Sequence, residues 1–366
     1  MTLNKRKIKK KNIDYINIDF GVYANFTNII LGNYKPVLNF FNKAELQNVL
    51  KKNKLINGNK WTIPILFNVI QRETKKIKIN QLYYLKYNNK VIGKIIIDSI
   101  FRINKNIYCS KVFNTNSIKH PGVKKIKKMH NFFISCSILK VKYLSTIKEK
   151  YINDAKIKNH DDKLKLKKVS FTTRNIPHLG HLYLLNNFNK SQNINLCIVI
   201  LINDKNKFSP KIIKESYLKL TDLFIKKRKV SVYQLLLPSF FAGPNEAFLQ
   251  AVIMKNIGFN SFIVGRDHAG VSNFYLKYGS QKIFKNNDLI NLQIIKTKEP
   301  IRCKKCFKLF FENEIICRCD GKIKNTENFS GTTIRKYIKQ NNIIKLNKLL
   351  HTTTMKIINK NRLIKI

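Results

Sequence analysis

A chain of 366 residues, 44% hydrophobic and 11% aromatic, is too apolar for a disordered tail and long enough for two or three domains, each with a real core. Its formal charge of +51 would ordinarily point to nucleic acid or an anionic membrane, but lysine far outnumbers arginine and is spread through every segment with asparagine and isoleucine. These are residues of A- and T-rich codons, so drift in composition accounts for the charge and no nucleic-acid partner is expected.

In chain order, the basic N-terminus "MTLNKRKIKKKNIDYINIDF" has no apolar h-region and is not expected to be a secretory signal. No stretch approaches the ~18 consecutive apolar residues of a spanning helix, so a cytoplasmic protein without membrane contact is expected. Residues 1 to about 160 read as short strands and turns, with strands in "KWTIPILFNVI", "QLYYLKYNNKVIGKIIIDSIFRI" and "NIYCSKVF" and turn signals in "YNNK" and "INGNK". A helix is predicted in "NKAELQNVLKKNKL", capped by Asn42. The polar stretch 152–168 reads as a linker.

From about residue 167 the pattern alternates. Strands are predicted in "KKVSFTT", "INLCIVILIND", "KVSVYQLLLP" and "SFIVG". Helices are predicted in "HLGHLYLLNNF", in "SPKIIKESYLKLTDLFIKK" with Ser209 capping and Pro210 in the first turn, and in "PNEAFLQAVIMKNIG". Continuous apolar strands with crossover helices imply a parallel sheet covered on both faces, with ligands beyond the carboxyl ends of its strands. The segments "SFTTRNIPHLGH", "LPSFFAGPNEA" and "GRDHAG" all fall at such ends. A basic helical tail closes the chain.

Three motifs carry chemistry. His178 and His181 lie three apart at a helix start, on one face, where their N–H groups join the free backbone donors and positive dipole end in an anion site. Structural histidines or zinc ligation are the other readings of the pair. Arg174 can hold an oxyanion bidentately, Asn175 can donate an amide N–H, and Gly180 leaves room for an adenine or ribose. In "GRDHAG", Arg266, Asp267 and His268 sit at a sheet edge between glycines, unless Arg266 and Asp267 merely pair with each other. In "SGTTIR", Ser330 caps a helix that carries Arg335, either a second phosphate clamp or an ordinary capped helix. The clamps suggest in-line displacement at phosphorus, which rests on positioning and charge stabilisation. No P-loop signature occurs.

Seven cysteines are not a secreted framework: Cys109, Cys136 and Cys197 stand singly in apolar stretches. Cys303, Cys306, Cys317 and Cys319 cluster as C-x-x-C and C-x-C, which reads as a structural zinc site, with reduced free thiols as the alternative.

Together these segments resemble the sulfate adenylyltransferase (ATP sulfurylase) family. That family's Q-T-R-N-P-x-H-x-x-H is similar to "TTRNIPHLGH", its A-G-P-R-E-A to "AGPNEA", and its S-G-T-x-[IL]-R to "SGTTIR"; "VGRDHAGV" matches as it stands. "NYKPVLNFF", "NGNKWTIPI" and "HPGVKKI" resemble its N-terminal domain. The resemblance implies an α/β protein: a mainly-β PUA-like domain over residues 1–160, a nucleotidyltransferase-type parallel-sheet (Rossmann-like) catalytic domain over 161–300, and a small C-terminal lobe over 301–366.

It implies adenylyl transfer from Mg-ATP to sulfate. Thr173, Arg174 and Asn175 would be catalytic. Thr172, Arg174, Asn175, His178, His181, Gly265, Arg266, Asp267 and His268 would bind ATP, and Arg174 and the backbone of Ala269 would bind sulfate. A homo-oligomer is expected, together with a pyrophosphatase and a downstream phosphosulfate-using enzyme as functional partners. Thr172, Phe240, Asn245 and Gln250 depart from the family's glutamine, arginine, arginine and histidine. A nucleotidyltransferase with another acceptor, an inactive relative and an RNA-binding protein are the competing readings.

Overall fold

The computed structural model describes residues 14–142, 144–155, 157, 166–188, 193–204, 208–224, 230–284, 292–314, 317, 319 and 326–364. The N-terminal half is built on β1 (Tyr15–Asn17), β2 (Phe67–Asn68), β3 (Leu82–Tyr87), β4 (Lys90–Phe101) and β5 (Phe133–Val141), ordered β1-β3-β4-β5-β2. β1 runs parallel to β3 and the other pairs are antiparallel. The predicted turn in "YNNK" joins β3 to β4. Asn88 and Asn89 both have positive φ, 47° and 62°, the pair of left-handed positions that a two-residue hairpin loop favours.

Helices α1 (Phe20–Ile30), α2 (Lys43–Lys52), α3 (Lys105–Phe113), α4 (Pro121–Lys128) and α5 (Leu144–Lys150) complete this half. Asn42 caps α2 as predicted, its Oδ1 accepting the Glu45 N–H at 2.9 Å. The stretch 106–113, expected as a strand, is instead part of α3. Asn104 Oδ1 accepts the amides of Asn106 and Ile107, and Asn114 closes the far end in the left-handed region. Two flanking asparagines thus override the β preference of Ile107, Tyr108, Val112 and Phe113.

The second sheet is wholly parallel. β6 (Lys167–Thr173), β7 (Ile194–Ile202), β8 (Val230–Leu236), β9 (Ser261–Val264) and β10 (Gln293–Lys296) stand in the order β10-β9-β6-β7-β8. α6 (Leu179–Phe188) follows β6, α7 (Pro210–Phe224) follows β7, and α8 (Pro244–Ile257) leads from β8 to β9. From β6 the chain lays down β7 and β8 on one side, then returns to place β9 and β10 on the other. The crevice beyond the carboxyl ends of β6 and β9 is therefore a topological switch point, the place where such sheets bind ligands.

The return runs through α8, which is buried on nearly every side, from Glu246 to Met254. Its Phe248, Ala251 and Ile253 belong to one core with Phe26, Trp61 and Phe113 of the N-terminal half. A helix covered on both faces has no need of a polar stripe, which is why "PNEAFLQAVIMKNIG" lacks one.

Beyond the short α9 (Gly279–Lys282), strands β11 (Pro300–Cys303), β12 (Leu309–Phe311) and β13 (Thr326–Asn328) form an antiparallel sheet ordered β12-β11-β13. Helices α10 (Gly331–Lys339), α11 (Ile343–Leu349) and α12 (Thr352–Lys360) follow. They do not trail: Leu346, Leu349, Met355 and Ile358 share a core with Ile213 and Tyr217 of α7.

Hydrogen bonds tie the two halves. Asn28 Nδ2 donates to Leu236 O (2.6 Å), Asn245 Nδ2 to Val112 O (2.9 Å), Thr62 Oγ1 to Asn245 O (2.7 Å) and Asn256 Nδ2 to Asn33 O (3.0 Å). Fully buried His120 caps α4 by accepting the Gly122 and Val123 amides on Nδ1. Its remaining N–H, on Nε2, donates to Tyr275 Oη at 3.2 Å, and that hydroxyl donates to Phe241 O at 2.9 Å. In the stretch expected as a linker, Ile152 and Ile157 are buried in the shared core. Residues 158–165 of it, like the basic segment 1–13, lie outside the described residues.

Candidate active site

β6 stops at Thr173 because Thr173 Oγ1 accepts the Asn175 N–H at 3.2 Å and bends the chain into a turn. The turn leaves Arg174 and Asn175 at the switch point. Arg174 is half-buried, and its guanidinium makes no hydrogen bond or ion pair among the described residues. Its charge acts on Glu246, Asp267, His268 and Arg335 around it. A guanidinium held there without a partner suits an oxyanion.

The C-terminal lobe reaches the same place. Ser330 Oγ accepts the Thr332 N–H at 3.2 Å and starts α10, which carries Arg335. Arg335 donates to Asn175 Oδ1 at 2.6 Å and to Thr332 Oγ1 at 2.9 Å. With its oxygen engaged, Asn175 keeps its amide protons for a ligand. A Cβ added at Gly331 would lie 2.8 Å from the Asn175 side chain, so the close approach requires glycine.

His178 and His181 stack at 3.6 Å between centroids, 17° apart, and Phe329 stacks on the outer face of His178. His178 Nδ1 accepts the His181 N–H at 3.2 Å, so its ring proton sits on Nε2. His181 Nδ1 shares a hydrogen bond with Tyr217 Oη at 3.2 Å. Burial holds both rings neutral, His178 well below the usual histidine range and His181 pushed down to about 3. They therefore offer N–H dipoles rather than charge. The amides of Leu179 and Gly180 make no hydrogen bond among the described residues and extend the same donor surface. The room expected at Gly180 is filled, since an added Cβ there would meet the Phe329 ring at 2.7 Å. Open space lies instead beside Gly265, where an added Cβ would meet nothing within 4 Å.

In the loop after β9, Arg266 pairs with buried Glu299 at 3.1 Å. Asp267 folds over Gly270, whose added Cβ would lie 1.7 Å from its Oδ1. Ala269 adopts φ 54°, and its N–H makes no hydrogen bond among the described residues. Ser280 Oγ donates to His268 O at 2.5 Å and fixes the loop. Burial, then the charge of Arg174, pushes His268 down to about 4.

Glu246 and Gln250 of α8, one turn apart, were not assigned a role from sequence. Gln250 Oε1 lies 3.0 Å from Thr172 Oγ1 and 2.9 Å from His268 Nε2, and its Nε2 lies 3.3 Å from Glu246 Oε1. Tyr217, Phe329 and Glu299 were likewise not foreseen; no local pattern marks them. Of the departures, Asn245 turns to the N-terminal half, and Phe240 is a half-buried ring against the shared core.

The four thiols of Cys303, Cys306, Cys317 and Cys319 lie within 4.8 Å of one another. Cys306 and Cys303 stand 3.3 and 3.4 Å from Cys317, near the spacing set by tetrahedral thiolate–zinc bonds of about 2.3 Å. The N–H groups of Cys306 and Lys305 point at Cys303 Sγ and hold that thiol down to about 7. The donor set fits zinc.

Taken with the switch-point crevice, this site defines an α/β enzyme of the nucleotidyltransferase class. Residues 149–358 match the ATP-sulfurylase family model, and residues 2–143 match that of a PUA-like domain. The chain is 30% identical to the sulfate adenylyltransferase of Ignicoccus hospitalis over 334 residues, covering 90% of this chain and 86% of that one. It is 29% identical to that of Pyrococcus abyssi over 337 residues, covering 88% and 84%. In fold it is similar to a solved structure described as a hexameric APS kinase from Thiobacillus denitrificans, with a TM-score of 0.69 at 11% identity, covering 95% of this chain and 63% of that one. The chain belongs to the ATP-sulfurylase family. No helix among the described residues is long and apolar enough to cross a membrane.

Proposed function

We propose that this enzyme transfers the adenylyl group of Mg-ATP to sulfate, giving adenosine 5′-phosphosulfate and pyrophosphate. The observation that carries the reading is that Arg174, without a hydrogen bond or ion pair among the described residues, follows the same strand end as the neutral His178–His181 stack. A sulfate oxygen attacks the α-phosphorus, the bond from that phosphorus to the bridging oxygen breaks, and pyrophosphate departs with the electron pair. Sulfate is itself the nucleophile, so no side chain need be. Arg174 and the Ala269 amide hold sulfate. Asn175, backed by Arg335, holds the α- and γ-phosphate region. The Nε2–H of His178, His181 and the first turn of α6 take up charge on the leaving group. Thr173 shapes the turn, and Gly265, Arg266, Asp267 and His268 frame the nucleoside.

The test is AMP release from Mg-ATP with molybdate, a sulfate mimic whose adenylyl anhydride hydrolyses. Molybdate-dependent AMP, inhibited by sulfate, is expected. ATP turnover that ignores both oxyanions supports a second reading, a different acceptor. That reading is favoured by Thr172, which stands 3.0 Å from Gln250 Oε1 and so has a local partner for its one hydroxyl proton.

The cysteine cluster, on this reading, holds one structural zinc, and the chain works as a cytoplasmic homo-oligomer beside a pyrophosphatase and a phosphosulfate-consuming enzyme. About one zinc per chain is expected by metal analysis, with a lower melting temperature under chelator. Zinc-free protein indifferent to chelator contradicts the site.

A further inference from the structure

We propose that Gln250 is a positioning residue that locks His268 as the Nε2–H tautomer, so that this imidazole reads a hydrogen-bond donor of the nucleotide and not a phosphate oxygen. The proposal rests on the ATP reading above and follows from hydrogen-bond bookkeeping in a buried network. It begins at Glu246, 5% exposed, where the Ala242 amide donates to Oε2 at 3.2 Å, the Phe241 amide also points at the carboxyl, and Gln250 Nε2 approaches Oε1. Burial raises the Glu246 pKa, while the Arg174 charge and the two backbone amides favour the carboxylate, and in that ionised form Glu246 acts as an acceptor only.

That fixes the Gln250 amide. Its NH2 must face Glu246, and its oxygen must face Thr172 Oγ1 and His268 Nε2. Gln250 is 2% exposed, so these three neighbours satisfy its amide away from bulk solvent. A carbonyl oxygen cannot donate, so both neighbours must. Thr172 gives it its one hydroxyl proton and has none left for an oxyanion. His268, held neutral, carries its one ring proton on Nε2 and presents at Nδ1 a lone pair that meets no hydrogen-bond donor among the described residues. Any nucleotide group that meets Nδ1 is then a donor, a ribose hydroxyl or the adenine amine.

The tautomer is read in the free enzyme by nitrogen NMR of 15N-histidine-labelled protein, with the His268 resonances assigned by their loss in His268→Asn. The expected spectrum has a protonated Nε2 and an unprotonated Nδ1. In Gln250→Met the two tautomers are expected to mix, while ATP binding weakens by about two- to tenfold and inorganic tripolyphosphate binding is unchanged. Gln250→Glu places a carboxylate beside His268 and raises its pKa, so the acid limb of the pH–rate profile should move to higher pH. An Nδ1–H tautomer in the wild type overturns the proposal. So does an unmixed wild-type tautomer in Gln250→Met, or equal loss of ATP and tripolyphosphate binding. The tautomer needs no substrate to be measured. An enzyme that fails to turn over ATP would therefore defeat the proposed function, while an Nδ1–H tautomer in an active enzyme would defeat this inference alone.

Discussion

Arg174→Ala is expected to lower turnover by about 10²–10³-fold while leaving the melting temperature within about 4 °C of the wild type. The asymmetry follows from its surroundings. The guanidinium makes no ion pair or hydrogen bond among the described residues, so its removal deletes no polar tie among them. It sits near Arg335, whose pKa is lowered by burial and by Arg174, so some repulsion is relieved as well. Against this, Glu246 loses the positive charge that favours its ionised form, a cost that keeps the change in stability small rather than zero. Steady-state kinetics and a thermal melt on the same preparation check both halves. Wild-type turnover removes Arg174 from the reaction, and an unfolded variant makes it structural.

Acid should destabilise the enzyme earlier than carboxylate titration alone would. Burial depresses the pKa of His120, His178, His181 and His268, to about 3 for His181 and about 4 for His268. In the unfolded chain each titrates near about 6.5. Between the two values the unfolded state binds protons that the folded state refuses, so stability rises with pH across that window. It is fully present above about pH 6.5 and is lost as pH falls toward the folded values, by up to about 1.4 kcal/mol per pH unit for each histidine. Denaturant titrations at pH 7.5, 6.5 and 5.5 check this. Equal unfolding free energies at all three would mean that these rings are hydrated or charged in the folded enzyme.

What could be read from sequence was what neighbours in the chain decide. Asn42 and Ser330 cap their helices as predicted, and the Asn88–Asn89 turn closes its hairpin, because each obeys a rule spanning a few residues. The same locality explains the failure at 106–113, where apolar β-formers outweighed the two asparagines that fix the helix ends. The strand-end motifs were legible because each is contiguous. Their connections were not. Arg335 meets Asn175 across 160 positions, and Thr172 meets Gln250 across 78, pairings that only the packing of α8 and α10 brings about. Gly180 misled for a related reason: its missing side chain makes way for Phe329, a ring from the far end of the chain.

The ties between the two halves bear on how this chain has been able to change. Asn28, Thr62, Asn245 and Asn256 all donate across the joint to carbonyl oxygens of the main chain. A carbonyl is the same acceptor whatever side chain follows it, so the receiving position in each pair is free to mutate. Selection need guard only the donor. Three of those four donors are asparagine, a residue abundant throughout the sequence. The joint is thus built from a residue type that this chain holds in plenty.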